Sequence, residues 1–191
     1  MLNDELLINS LQKFYNEDNN GEKLISVLKD EKKISLRSID WFITNYSKKQ
    51  KIYYNIYIKN DESPTLDEKN NSHYTNINVF QSYKSQLKAY SKKKFDPFCR
   101  RNRIEFKCKD TIVETTIGQL NFFKWAINNL ILDYIYSHKK EIENDMNNSL
   151  KNIKKQIAFR KKGERKTRQE LSLSATRGLS RTNIYIKLEF D

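Results

Sequence analysis

The stretch RIEFKCKDTIVETTIGQLNFFKWAINNLILDY, residues 103–134, decides the fold, because a period of two gives way within it to a helical period. Ile104, Phe106 and Cys108 alternate with Arg103, Glu105, Lys107 and Lys109, the pattern of a strand with one wet face. A turn at Lys109 and Asp110 returns the chain as TIVET, which predicts a hairpin. Thr116-Ile117-Gly118-Gln119 then reads as a capping box, in which the Thr hydroxyl accepts a backbone N–H that the first helical turn leaves unpaired. Leu120, Phe123, Ile127, Leu130, Ile131 and Tyr134 follow at helical spacing, and this is expected to be the central buried helix.

Upstream, residues 1–50 carry eight charges of each sign and predict two or three short helices. Leu7, Leu11, Phe14 and Tyr15 mark the first. Leu24, Val27 and Leu28 mark a second after a turn at Asn19, Asn20 and Gly21. Ser35 can cap a third bearing Leu36, Ile39, Phe42, Ile43 and Tyr46. KIYYNIYIK, residues 51–59, is dense in β-branched and aromatic residues and reads as a strand. The polar stretch from Asn60 to Thr75, which holds Pro64, reads as a mobile loop. Residues 79–93 predict a helix with an apolar stripe of Phe80, Tyr83, Leu87 and Tyr90 beside a cationic stripe of Lys84, Lys88 and Lys92.

Downstream, Ile142, Met146, Leu150, Ile153 and Ile157 repeat every three or four residues. This second amphipathic helix, expected to end at Gly163, would present Lys151, Lys154 and Lys155 on ordered backbone. Residues 164–182 read as a flexible, anion-seeking loop, and Asn183 to Asp191 alternate like a final strand. The expectation is a single α+β domain over residues 1–191. Five or six helices would pack on one small, mainly antiparallel sheet built from residues 51–59, 103–108, 111–116 and 184–190, with a basic C-terminal arm.

The length suits one domain with a real core. Hydrophobic residues are only 37%, but aromatic residues reach 12%, enough to close a core where a disordered chain could not. The most apolar window, residues 120–136, is broken by Asn121, Lys124, Asn128, Asn129 and Asp133, so membrane insertion is not expected. The N-terminus lacks a secretory pattern, and the protein is expected to be intracellular. Cys99 and Cys108 are too few for a disulfide framework and are expected to be reduced.

The net charge of +12 is not spread evenly. Residues 151–181 carry eleven Lys/Arg against two acidic residues, and residues 84–103 carry eight against Asp96 alone. Charge gathered into segments is the footprint of a site for a polyanion. Abundant Lys, Asn and Ile point to an AT-rich coding genome, which inflates Lys everywhere; Arg is the less biased witness, and eight of nine Arg lie within residues 100–181. The candidate nucleic-acid-binding residues are Lys84, Lys88, Lys92, Arg100, Arg101, Lys154, Lys155, Arg160, Lys161, Lys162, Arg165, Lys166 and Arg168. Such cations release counterions from phosphates, and Thr167, Ser172, Ser174, Thr176 and Ser180 can add hydroxyl donors. No base-reading motif is present, so backbone-dominated, weakly sequence-specific binding is expected, to DNA or RNA and without a cofactor.

A nuclease is the sharper alternative. Asp96, next to Pro97, and the E-x-K pair Glu105 and Lys107 resemble the acidic residue and E-x-K of restriction-type metal nucleases. The blander reading of that strand is a solvent face of alternating charge, and a non-enzymatic protein is the expectation. His73, Cys99, Cys108 and His138 lack the paired spacing of a structural zinc module. With four glycines there is no phosphate-cradling loop, and no G-x-S-x-G of a hydrolase is present.

At FDPFCRRNRIEF (95–106), TTIGQLNFFKWAI (115–127), ISLRSIDWFITNYSKK (34–49) and LSRTNIYIKLEFD (179–191), the chain resembles an uncharacterised family encoded by giant nucleocytoplasmic large DNA viruses. The resemblance carries no catalytic or binding residue. What it implies is a setting: a viral factory in host cytoplasm, or the virion. There a genome-binding protein would act, or a virion structural protein whose basic surface meets the genome or an acidic protein partner.

Overall fold

Three helices begin in the same way, with a polar side chain on extended backbone accepting a hydrogen bond from the N–H three residues on. Ser35 receives Ser38 N at 3.0 Å, Asn78 receives Gln81 N at 3.0 Å, and Thr116 receives Gln119 N at 3.1 Å. Each bond pairs a donor that the first helical turn leaves free. In a computed structural model, residues 2–29, 34–58, 64–66, 73–100, 102–109 and 111–158 are described. The chain divides into two units, Met1–Asn152 and Ile153–Asp191.

Helices α1 (Leu2–Asn16) and α2 (Asn20–Lys29) are followed by α3 (Leu36–Trp41), a π-helical turn (Phe42–Tyr46) and α4 (Ser47–Gln50), which run as one rod. Then come β1 (Tyr53–Tyr57), β2 (Tyr74–Asn78), α5 (Val79–Tyr90), β3 (Ile104–Cys108), β4 (Thr111–Thr115), α6 (Ile117–Asn128), α7 (Ile131–Ser137) and α8 (Lys139–Ala158). The architecture is α+β, as the sequence predicts.

The expected single sheet is instead two separate two-stranded antiparallel sheets, β1–β2 and β3–β4. The hairpin β3–β4 has the predicted alternation, pairing Phe106 with Val113 and Cys108 with Thr111. The partner of β1 is a strand the sequence reading did not foresee, spanning the last two residues of the polar loop and the three before the predicted helix: Tyr54 pairs with Ile77 and Tyr57 with Tyr74. In β2 only Ile77 is buried, and a single apolar residue makes no period. Earlier in the supposed loop, Thr65 exchanges backbone hydrogen bonds with Tyr57. The strand expected at residues 184–190 lies outside the described residues.

The expected central helix is broken into α6 and α7, because Leu130 adopts φ 50°. A left-handed Leu costs roughly 1–2 kcal/mol, and the site holds it by three contacts. Leu130 is 5% exposed in a small cluster with Ile56 and Ile77. The Tyr54 hydroxyl donates to Asn129 O at 2.6 Å, and Asn129 Nδ2 donates back to Trp125 O at 2.7 Å. With that extra helix the rods number seven among the described residues, one above the expectation.

Helix α6 lies at the centre of the main core. Leu120, Phe123 and Ala126 have no exposed surface and pack with Leu11 and Tyr15 of α1, Leu24 of α2, Ile39 of α3, Phe42 and Ile43 of the π turn, and Phe106 and Cys108 of β3. Burying each large side chain contributes about 1.5–3 kcal/mol. The Tyr15 hydroxyl reaches across to Leu120 O at 2.6 Å, so the phenol's one polar atom is paired where its ring is buried. Gly21, expected in a turn, is helical: a Cβ there would lie 2.5 Å from Cys108 Sγ and 2.8 Å from Tyr15 O.

Candidate functional site

Two surfaces carry the chemistry. The first is the ridge formed where α4 packs against α5. Phe80, in the first turn of α5, has Lys84 Nζ 5.6 Å from its ring centroid and Lys48 Nζ at the same distance. Both ammonium groups are exposed, as are Lys51 and Lys88, and none of the four makes an ion pair among the described residues. Lys84 and Lys88 are the predicted stripe. Lys92 is not part of it, because Ser91 at φ 56° ends α5 before that residue. The sequence reading missed Lys48 and Lys51: the neutral sum over residues 1–50 concealed the first, and the second opened the stretch read as a strand.

Neighbouring cations are engaged elsewhere. Lys49 pairs with Asp145 of α8, which also accepts from Trp41 Nε1 at 3.1 Å. Lys94 pairs with Asp4, Lys109 with Glu22 at 3.0 Å, and Arg103 with Glu114. Arg100 pairs with Asp96, its Nη2 donating to Oδ1 at 3.2 Å while its Nε lies 3.2 Å from Oδ2, and its guanidinium lies 4.3 Å from the Phe98 ring centroid. That engagement removes Arg100 from the cations free to neutralise phosphate. Lys154 and Lys155 are exposed on the last described turns of α8. Arg101, Arg160, Lys161, Lys162, Arg165, Lys166 and Arg168 lie outside the described residues.

The second surface is a cleft of about 460 Å³ lined by Asp40, Thr44, Tyr83, Lys92, Phe95, Asp96, Pro97 and Arg100. Its floor is the irregular segment 91–100, which α6 holds in place. Phe95 is 1% exposed, Asp96 N donates to Gly118 O at 3.2 Å, and Asn121 Nδ2 donates to Lys94 O at 2.9 Å. Gln119 does not close the capping box on Thr116. Its Nε2 donates to Pro97 O at 2.8 Å while its Oε1 accepts from Thr115 Oγ1, also at 2.8 Å. Gly118 allows the approach, since a Cβ there would sit 3.1 Å from Lys93 O.

The opposite wall comes from α3, the π turn and α5. In the rod, Thr44 Oγ1 donates to Asp40 O at 2.7 Å. The Asp40 carboxylate itself accepts no hydrogen bond among the described residues. Burial pushes its pKa above the ordinary value; Arg100 opposes the shift, Asp96 adds to it and Lys92 opposes it. The Tyr83 hydroxyl likewise makes no hydrogen bond among the described residues, and burial, with help from Asp40 and Asp96, pushes its pKa up to about 12. The cleft thus presents an acceptor, a phenol donor and the ammonium of Lys92.

The nuclease trio is not assembled there. Asp96 lines the cleft, whereas Glu105 and Lys107 are exposed on β3 and Glu105 lies opposite Glu114. Both cysteines are free thiols; Cys108 is buried against Tyr15 O, and burial raises its pKa. A buried neutral thiol is a poor nucleophile.

Fold and surface together define a basic α+β protein whose lysine ridge, unpaired among the described residues, lies beside a mixed-charge cleft. The chain belongs to a family of unknown function, DUF7197, whose model matches residues 2–169. It is similar to "Uncharacterized protein L507" of Acanthamoeba polyphaga mimivirus, with 42% identity over 137 residues, which cover 69% of this chain and 48% of that protein. The chain therefore spans about half the length of this giant-virus relative. No solved structure matches it. Among the described residues, no helix is long and apolar enough to cross a membrane.

Proposed function

We propose that this is a viral, non-enzymatic nucleic-acid-binding protein that holds the phosphate backbone with little sequence preference. The observation that carries the reading is the ridge of Lys48, Lys51, Lys84 and Lys88, four exposed ammonium groups without carboxylate partners among the described residues, two of them over the Phe80 ring. A cation already paired must lose that partner to meet phosphate, and an unpaired one need not. Lys154, Lys155 and the arginines and lysines that follow them would add to the same chemistry. The kinship with a mimivirus protein supports a viral origin, and a genome-binding role in the factory or the virion suits it.

The test is binding to duplex DNA, single-stranded DNA, RNA and heparin as salt rises. If six to ten cations meet phosphates, affinity for the nucleic acids falls roughly 10³- to 10⁵-fold between 50 and 200 mM salt. Equal weak binding to all four, heparin included, would sink a dedicated nucleic-acid role and favour an acidic protein partner.

A further inference from the structure

The cleft beside the lysine ridge holds three polar groups whose chemistry points to a ligand. Asp40 offers a carboxylate that lines the cleft and accepts no hydrogen bond among the described residues. Tyr83 offers a hydroxyl with no partner there, on the helix that also carries Lys84 and Lys88. Lys92 offers an ammonium that makes no ion pair among the described residues, just past the end of that helix. At the rim, Arg100 has one guanidinium face on Phe98, an arrangement on which a base can stack. The wall bearing Asp40 and Thr44 is built at a π-helical turn, a rare distortion that recurs at functional sites. A volume of about 460 Å³ lies within the range of small-molecule sites.

We propose that the cleft seats one unpaired guanine nucleotide of a single strand, with Asp40 accepting from the base's N1–H and 2-amino group and Lys92 meeting its phosphate. Guanine alone among the bases sets two adjacent donors on its pairing edge, the complement of a carboxylate. Adenine and cytosine offer one amino group there, and uracil or thymine one N–H. Tyr83 supplies a donor for the 6-oxo group. The proposal rests on the nucleic-acid reading above and adds to it a single-nucleotide preference within otherwise backbone-led binding.

The test uses the full chain with 5′-GMP, 5′-IMP and 5′-AMP, and with oligo(dT) strands containing or lacking one dG. GMP is expected to bind about tenfold more tightly than IMP, which lacks the 2-amino group, and AMP more weakly still. Asp40→Asn is expected to abolish the preference while thermal stability and binding to plain oligo(dT) persist. Tyr83→Phe should weaken GMP with a smaller effect. Equal affinity for GMP and AMP, or a preference that survives Asp40→Asn, overturns the proposal. If strands bind without base preference, the cleft proposal falls and the ridge reading stands. If GMP is preferred and no strand binds, the ridge reading falls and the cleft stands as a nucleotide site.

Discussion

At the scale of single residues, two positions are governed by close neighbours far away in sequence. Gly21 is required by contact: a methyl group there would overlap the Cys108 sulfur and the Tyr15 carbonyl, one belonging to β3 and the other to α1 backbone. Helix propensity alone would favour Ala by about 1 kcal/mol. Overpacking opposes it by about 1–3 kcal/mol, so Gly21→Ala should lower the urea midpoint despite its better propensity. Asp40 makes the second case. Burial raises its carboxyl pKa above the ordinary 3.8, so the folded state holds this proton more tightly than the unfolded chain does. Its contribution to stability is complete below about pH 3.8 and is lost as pH rises through the raised value. Asp40→Asn should therefore be at least as stable as the parent at pH 7, with the gain shrinking toward pH 3. Urea titrations at the two pH values check this, and a variant weaker at pH 7 would contradict it.

Among elements, the short rod from α3 to α4 links stability and charge. Lys51 ends it in the left-handed region, at φ 53°, with its N–H bonded to Ser47 O. Gly at that position relieves about 1 kcal/mol of backbone strain. It also removes one of the four ridge cations. Lys51→Gly should thus raise the melting temperature while weakening nucleic acid, a split that a purely structural lysine would not produce. Legibility differed between elements for a physical reason. The hairpin β3–β4 was readable because Ile104, Phe106, Cys108 and Val113 write their alternation into adjacent residues, and the helix starts at Ser35 and Thr116 because a cap acts over three residues. Strand β2 was not, because Ile77 alone is buried in it. The break at Leu130 was not, because Leu is a good helix former and the bend is imposed by Tyr54, Ile56 and Ile77 from the other sheet.

For the whole molecule, net charge matters less than which charges are unpaired. Six Lys or Arg of the described residues face a carboxylate in an ion pair: Lys49, Lys94, Arg100, Arg103 and Lys109, as set out above, and Lys139, which faces Glu143. Exposed pairs of this kind contribute about 0–1 kcal/mol to stability, yet each competes with phosphate for its cation. The double variant Lys48→Ala/Lys84→Ala should therefore reduce the slope of log affinity against log salt by about 0.9 per lost contact on duplex DNA. Arg103→Ala should change that slope little. Equal slopes for the parent and the ridge variant would remove the ridge from the interface.

Short-range order was present in the chain as written: the capped helix starts, the hairpin, the α+β class, and the two stretches where positive charge gathers all follow from residues within a few positions of one another. The availability of those charges was not, because whether a lysine is free depends on which carboxylate folding brings beside it. Lys48 joined the ridge only when α4 packed on α5, and Arg100 left the free cations only when Asp96 was fixed within reach. The cleft has the same origin. Its walls come from α3, the π turn, α5 and segment 91–100, and only packing around α6 gives those separate segments a common surface.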